Sequence, residues 1–399
     1  MTELYLDVET TTRNKGHPFD SSNFLVSYSC SSGISSPRFH YFKDPDFTAS
    51  LRADLDGADC VVGFAVKFDL HWTCRSLGLK HLPLSLKVWD CQLAEFILSG
   101  QTHLYGSLNE TLEAYGLPLK FDQVAAYWEQ GIDTCDIPVE ILEEYGNYDT
   151  ACLIDIKQLQ MQRMTPAQIQ LCWNMGEDLK ALQHAEALGI RFDTEAASNL
   201  IAASSEEIRG IEERLETYLP DSVRTDPGIS FNWDSGDQLS CLIYGGTIVY
   251  DICTSEPAVY KSGEKAGQAY VRNRWSTESV TFPRRFLPLP GTEVLKTREN
   301  PPEDQHLYQV DTPTLSSIRS RRKEDKALLQ LIQERSKKIK VLEMVSSILK
   351  LMEEKGWADG FIHAQFNQNV ARTGRLSSSA PNMQNTPSEI DELLVSRYV

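Results

Sequence analysis

Four carboxylates and one phenol in this sequence have types and spacing suited to cleaving a phosphodiester. Asp7 and Glu9 stand two apart in LDVET, in a run where Leu4, Leu6 and Val8 alternate with other residues. That alternation predicts a strand. Alternate strand residues point the same way, so both carboxylates share one side. Asp69 follows an apolar stretch in KFDLHW, and Tyr145 and Asp149 stand four apart in YGNYD. On a helix that spacing puts the phenol and the carboxylate on one face. Phosphodiester hydrolysis is well served by two divalent ions about 3.5–4 Å apart. Hard ions such as Mg2+, with Mn2+ as an alternative, take oxygen ligands, hence Asp and Glu rather than His or Cys. Each signal alone reads equally well as a turn or a cap; the combination in this order carries the meaning.

These groups need a scaffold, and the pattern supplies one. Residues 2–8, 23–29 and 38–43 read as strands, the last two joined by the Ser/Gly-rich CSSGISSP turn. DCVVGFAVKFD reads as an apolar strand running into a turn, followed by a helix. Residues 88–99 and 107–115 read as helices. A longer helix starts near Pro138 and ends before Thr165-Pro166. Strands with later helices predict an α/β domain with a central mixed β-sheet, ending near 165. Residues 166 to about 220 are helical in pattern. Residues 244–308, rich in Gly, Pro and Tyr and including PRRFLPLPG and ENPPED, predict loops and short hairpins. Helix returns at 325–354, as one long helix or as consecutive segments.

The chain has 399 residues, enough for two or three domains, and a formal net charge of −17. Non-specific DNA binding rests on Lys and Arg neutralising phosphates. An acidic total therefore predicts segregated basic residues and weak DNA binding by this chain alone. Two basic clusters stand out: Arg319, Arg321, Arg322 and Lys323, then Arg335, Lys337, Lys338 and Lys340. No two of the nine cysteines have CxxC spacing. That predicts a reducing compartment, with neither a zinc site nor a disulfide framework. No signal peptide is visible, and no apolar run approaches ~18 residues, so a cytoplasmic location is expected, with no membrane span.

The carboxylate set, in its order, resembles the DEDD exonucleases in their tyrosine-containing form, the 3′–5′ proofreading domain of family A DNA polymerases. The resemblance implies an α/β ribonuclease H-like domain over 1–165. It implies that Asp7 ligates both metals, that Glu9 and Asp149 complete one shell, and that Asp69 holds the second ion through water. Tyr145 would orient the attacking water. VWDCQLAEFIL resembles a family helix in which Asp90 is structural rather than a ligand. The family has Asn four residues before its second-motif Asp, where it helps hold the substrate strand; here that position is Ala65.

From about 166 onward the chain resembles the thumb and first palm strands of the same polymerases. LGIRFDTE (188–195), FNWDSGDQLSCLIYGG (231–246) and the stretch around Leu331 to Leu351 carry this likeness. ARTGRLSSSAPNMQNTP (371–387) carries it most strongly. The resemblance implies a mainly α thumb over 166–355 and a partial palm over 356–399. Arg375 would contact the primer–template minor groove, whose acceptors are shared by all base pairs. Asn382, Gln384, Asn385 and Arg372 would contact the primer–template alongside it. Arg321, Arg322, Lys337 and Lys338 would track duplex phosphates. The family's D-Y-S-Q-I-E and H-D-E strings, which carry polymerase metal ligands, do not occur in the sequence.

The expectation is therefore the proofreading subunit of a split, phage-type polymerase, in the host cytoplasm if phage-encoded. Its DNA would be a single-stranded 3′ end and a primer–template duplex. A second chain would bring the fingers and the catalytic palm motifs, and the 244–308 region is a place for a processivity factor. The alternatives are a stand-alone exonuclease or a non-catalytic DNA-clamping scaffold.

Overall fold

A computed structural model describes residues 1–119, 123–259, 262, 268–294, 307–357 and 360–395. In chain order the first elements are β1 (Glu3–Thr10), β2 (Leu25–Ser31), β3 (Arg38–Tyr41), α1 (Phe47–Asp56), β4 (Cys60–Gly63), α2 (Lys67–Leu77), β5 (Lys87–Asp90) and α3 (Cys91–Leu98). The helices α4 (Leu108–Tyr115), α5 (Gln123–Glu129), α6 (Val139–Arg163) and α7 (Pro166–Leu188) follow. Then come β6 (Ile190–Phe192), α8 (Thr194–Glu216), α9 (Asp221–Thr225), α10 (Gly236–Tyr244), β7 (Gly246–Val259) and β8 (Ala269–Phe282). The last are α11 (Thr312–Ser317), α12 (Lys323–Glu354), β9 (Phe361–Ile362), β10 (Gln365–Asn367), β11 (Ser377–Ser379), α13 (Ser388–Asp391) and β12 (Leu394–Val395). Two compact units result: residues 1–198 with 344–399, and residues 199–343.

The first unit is built on a mixed five-stranded sheet of order β3-β2-β1-β4-β5. β1 runs antiparallel to β2 and parallel to β4, so it sits at the centre. The period of two sorts its residues cleanly. Leu4, Leu6 and Val8 join one apolar cluster with Leu51, Leu70 and Trp72 of α1 and α2. Tyr5 joins the other, with Trp89, Phe96 and Ile156. Asp7 and Glu9 therefore belong to the side that α6 covers. That approach depends on Gly146, where a Cβ would stand 2.5 Å from Ser29 Oγ on β2.

Two local boundaries differ from the sequence pattern. The stretch 88–99 is a strand and then a helix, because the Asp90 side chain caps α3 by accepting from the Gln92 and Leu93 amides. The apolar strand at 60 stops at Gly63, and α2 has begun by Lys67. The first unit also continues past 165. Thr165 forms a capping box with Gln168, Pro166 opens α7, and α7 lies on β5 so closely that a Cβ at Gly176 would meet the Val88 carbonyl at 2.1 Å. The C-terminal segment adds a small antiparallel sheet, β12-β6-β9, and the β10–β11 hairpin.

The second unit has its own core, which includes Leu215, Phe231, Trp233, Leu242, Phe282 and Leu331. Here the expectation of loops and short hairpins over 244–308 is corrected. β7 and β8 are 14 residues each and pair without a break from Gly246↔Phe282 to Val259↔Ala269. Gly245, Gly246 and Pro283 bracket the arms, and the β-branched and aromatic residues between them favour extended pairing. At about 3.4 Å per residue such an arm spans about 45 Å. Its base is buried through Val280 and Phe282, whereas Val271 and Trp275 are 68% exposed. ENPPED lies outside the described residues. The 325–354 pattern is one helix, α12, of 32 residues.

Candidate active site

Strand β1 and helix α6 bring three of the sequence-predicted carboxylates together. Asp7 and Glu9 stand opposite Ser29 and Ser27 of β2, and α6 lays Asp149 across that face. One oxygen from each of Asp7, Glu9 and Asp149 lies within 4.8 Å of the others. Asp149 is buried, and Asp7 and Glu9 are half-buried. Carboxylates this close repel strongly where water is scarce. The donor set is all oxygen, which suits a hard divalent cation. Tyr145, one turn before Asp149 on α6, is half-buried with its ring edge-on to Trp128 at 6.4 Å.

Asp69 is joined to the backbone of the same strand, β1. It is the third residue of α2, and its Oδ1 accepts the backbone N–H of Val8 at 2.9 Å. The reason lies in the register. β4 ends at Gly63, opposite Asp90 rather than opposite the end of β1. The last turns of β1 thus lack a strand on that side, and a side chain takes over. Burial holds the Asp69 carboxyl well above the usual carboxylate range.

Ala65, the departure from the family pattern, has φ +52°. Its amide and that of Val66 donate to Asp90 at 3.1 and 3.0 Å. Asp90 thus accepts four backbone N–H groups, two from the 65–66 turn and two from α3, and burial pushes its carboxyl up to about 6. It is a clamp beneath the site.

Beside this turn is a cavity of about 230 Å³ lined by Ala65, Lys67, Phe68, Gln92, Tyr105 and Asn367, among others. Lys67 and Phe68 immediately precede Asp69. Glu186 of α7 anchors the cavity wall: it pairs with Lys67 at 2.6 Å and His71 at 2.8 Å and accepts the Phe366 amide at 2.7 Å. Lys67 also donates to the Phe366 carbonyl. Sequence reasoning missed Glu186, Lys67 and His71. Their only signal is a set of charges at inward positions of helical patterns, which one sequence does not distinguish from a solvated face.

The other candidate residues are distributed over both units. Arg372 and Arg375 are exposed on the connection between β10 and β11, and Asn382, Gln384 and Asn385 are exposed on the turn that follows β11. Asn382 accepts the Gln384 amide at 3.0 Å, and Ser378 Oγ accepts the Met383 amide at 3.2 Å. In the second unit Arg321, Arg322 and Lys337 are exposed. Lys338 is engaged by Glu207. Arg335, a member of the same basic cluster, is only 9% exposed and pairs with Glu212 and Asp234. It serves the core rather than a phosphate.

Comparison with known proteins bears on the fold. Residues 292–397 match DNA polymerase family A. Short stretches match DNA polymerase I of Mycobacterium bovis and of Mycobacterium tuberculosis, each 62% identical over 34 residues. They cover 8% of this chain and 4% of those proteins. DNA polymerase I of Mycobacterium leprae is 67% identical over 30 residues, 3% of its length. The fold is similar to the polymerase domain of Pol1 from M. smegmatis, solved in complex with primer–template DNA and dNTP. The TM-score is 0.63 at 17% identity, covering 98% of this chain and 55% of that one. The chain thus spans about half the length of the solved polymerase it resembles. Its mixed α/β architecture matches a DNA polymerase fold, and no described helix is long and apolar enough to cross a membrane.

Proposed function

We propose that the chain is a 3′–5′ DNA exonuclease that works within a family A DNA polymerase. The observation that carries this reading is the convergence of Asp7, Glu9 and Asp149 oxygens within 4.8 Å. Asp7, Glu9 and Asp149 would hold the divalent ions, with Asp69 beside them, and Mg2+ or Mn2+ suits their oxygens. Bound there, the ions would supply Lewis acidity at the phosphate. The protein's own groups do the rest. Tyr145 orients the attacking water from the same helical face as Asp149. Asp69 fixes the strand between Asp7 and Glu9. Water adds to phosphorus, the penultimate 3′ oxygen leaves, and a nucleoside 5′-monophosphate is released. The cavity at Ala65 and Phe68 lies next along the chain from Asp69 and is where the last nucleotides of a single strand would lie.

The polymerase part of the reading rests on the 292–397 match and on the fold. Arg372, Arg375, Asn382, Gln384 and Asn385 would meet primer–template DNA, with Arg321, Arg322, Lys337 and Lys338 along the duplex. Nucleotide incorporation would require a second polypeptide segment that carries the remaining palm and the fingers, and the exposed hairpin would be free to receive a processivity factor.

Digestion of 5′-labelled single-stranded DNA tests the reading. The wild type should shorten the strand from its 3′ end only with Mg2+ or Mn2+. Asp149→Asn and Asp7→Asn should each cut the rate by at least ~100-fold, since even groups that merely support ligands cost about 10–100-fold. Equal rates for wild type and both variants would sink it.

A further inference from the structure

A second group of potential ligands lies on the opposite face of the sheet. Cys30 of β2, His40 of β3 and Asp54 of α1 each offer one donor atom, and these lie within 4.8 Å of one another. The register explains the meeting. Tyr28 pairs with His40 and Cys30 with Arg38, so Cys30 and His40 are diagonal neighbours on one face. Helix α1 covers that face through Phe47, Leu51 and Leu55 and brings Asp54 over it. Ser29, between Tyr28 and Cys30, faces α6 instead. The group is thus independent of the carboxylate trio.

We propose that Cys30, His40 and Asp54 form a cation site for a borderline-soft divalent ion of the zinc class. One sulfur, one imidazole nitrogen and one carboxylate oxygen are the donor types such an ion takes, at about 2.0–2.3 Å in a tetrahedron with water in the fourth place. The His40 ring is stacked on Tyr28 at 4.5 Å, and its buried Nε2 has no hydrogen-bond partner among the described residues. The Asp54 Oδ2 accepts from the Tyr28 hydroxyl at 3.2 Å and from the Cys30 thiol at 3.4 Å, which holds the carboxylate beside the thiol.

A cation already serves this place. The Arg38 guanidinium pairs with Asp54 Oδ1 and reaches Cys30 Sγ at 3.5 Å. Its side chain is 56% exposed, whereas that of Asp54 is 12% exposed. Arg38 can swing into solvent; the three ligands cannot. The metal and the arginine are therefore competitors, and binding fastens β3, the edge strand, to α1. Sequence spacing gave no zinc signal because the ligands are 10 and 14 residues apart on three different elements.

Binding must expel the thiol proton. The test is Co2+ titration of the full chain after chelator treatment, read by the sulfur-to-cobalt absorption band and by Zn2+ displacement. One ion per chain should produce the band. Cys30→Ser should abolish it, His40→Gln should weaken binding roughly 10- to 100-fold, and Arg38→Ala should tighten it. Asp149→Asn and Cys253→Ser should leave the band unchanged. His40→Gln changes a half-buried position and keeps the buried thiol, so it carries the test if Cys30→Ser does not fold by circular dichroism. Absence of the band in the wild type, its survival in Cys30→Ser, or equal affinity in His40→Gln would each overturn the proposal.

Discussion

The Asp69 carboxylate accepts the amide of Val8, the residue between Asp7 and Glu9, at 2.9 Å. One hydrogen bond thus ties the second sequence motif to the backbone of the first. It also separates two roles for Asp69, bracing and ligation. Asparagine keeps an acceptor oxygen and the shape, so Asp69→Asn should change stability by less than ~1 kcal/mol. Asp69→Ala strands a buried amide and should cost about 1–3 kcal/mol. Both should lose nuclease activity if Asp69 holds an ion. Denaturant unfolding with a parallel single-strand digestion checks this: an Asp69→Asn variant that is stable and fully active leaves Asp69 as a brace only.

Ala65 occupies a left-handed backbone conformation, φ +52°, that costs a residue with a Cβ about 1–2 kcal/mol. The turn is held by the two amide bonds to Asp90. Ala65→Gly should therefore raise stability by about 1 kcal/mol. Asn tolerates this region better than Ala, so Ala65→Asn should also stabilise, and under the family resemblance it should tighten single-stranded DNA. Thermal unfolding and a binding titration measure the two effects separately. A loss of stability in Ala65→Gly would show that the turn is not strained.

Much of the sheet and the trio was legible because it follows from a short period. Alternation placed Leu4, Leu6 and Val8 on one face and Asp7 and Glu9 on the other, and the i, i+4 spacing placed Tyr145 beside Asp149. What the sequence hid depends on residues distant in the chain. The bond from the Val8 amide to Asp69 had no sequence signal, because it joins residues 61 apart at a place where β4 is shorter than β1. The 88–99 stretch read as a helix because apolar runs do not distinguish a buried strand from a helix. The long hairpin was masked by the Gly and Pro residues at its ends. Glu186 was invisible because its partners, Lys67, His71 and Phe366, lie more than a hundred residues away on either side.

Arg335 is buried between Glu212 and Asp234, with its Nη1 also donating to the Trp233 carbonyl at 3.4 Å. Glu212 and Asp234 are 31% and 65% exposed, so water screens the charges left behind, and losing Arg335 should cost about 1–3 kcal/mol, mainly its buried hydrogen bonds. Arg335→Ala should destabilise by that amount, and Arg335→Met, which retains bulk, by less. Neither should alter the salt dependence of DNA binding, whereas Lys337→Ala should lower its slope by about one ion. Unfolding curves and a salt titration test this together. A shallower salt slope in Arg335→Met would mean that the guanidinium does reach phosphate.

His17 sets a pH window. It is 5% exposed, with its ring 5.5 Å from Trp357, and its Nδ1 accepts the Phe19 amide at 3.3 Å. Burial lowers its pKa to about 4, helped by the Lys355 charge and opposed by Asp20. An unfolded histidine titrates near 6.5. Between those values the unfolded chain binds the proton and the folded one does not, so stability increases with pH there. The contribution is present in full above about 6.5 and lost as pH falls toward about 4, a loss of up to ~3 kcal/mol. His17→Gln keeps a polar group without the titration. Its stability should fall less than the wild type's between pH 7 and pH ~4.5. Denaturant unfolding at both values gives the difference directly. Parallel losses in the two proteins would mean that His17 is protonated in the fold without penalty, and that acid sensitivity arises from other groups.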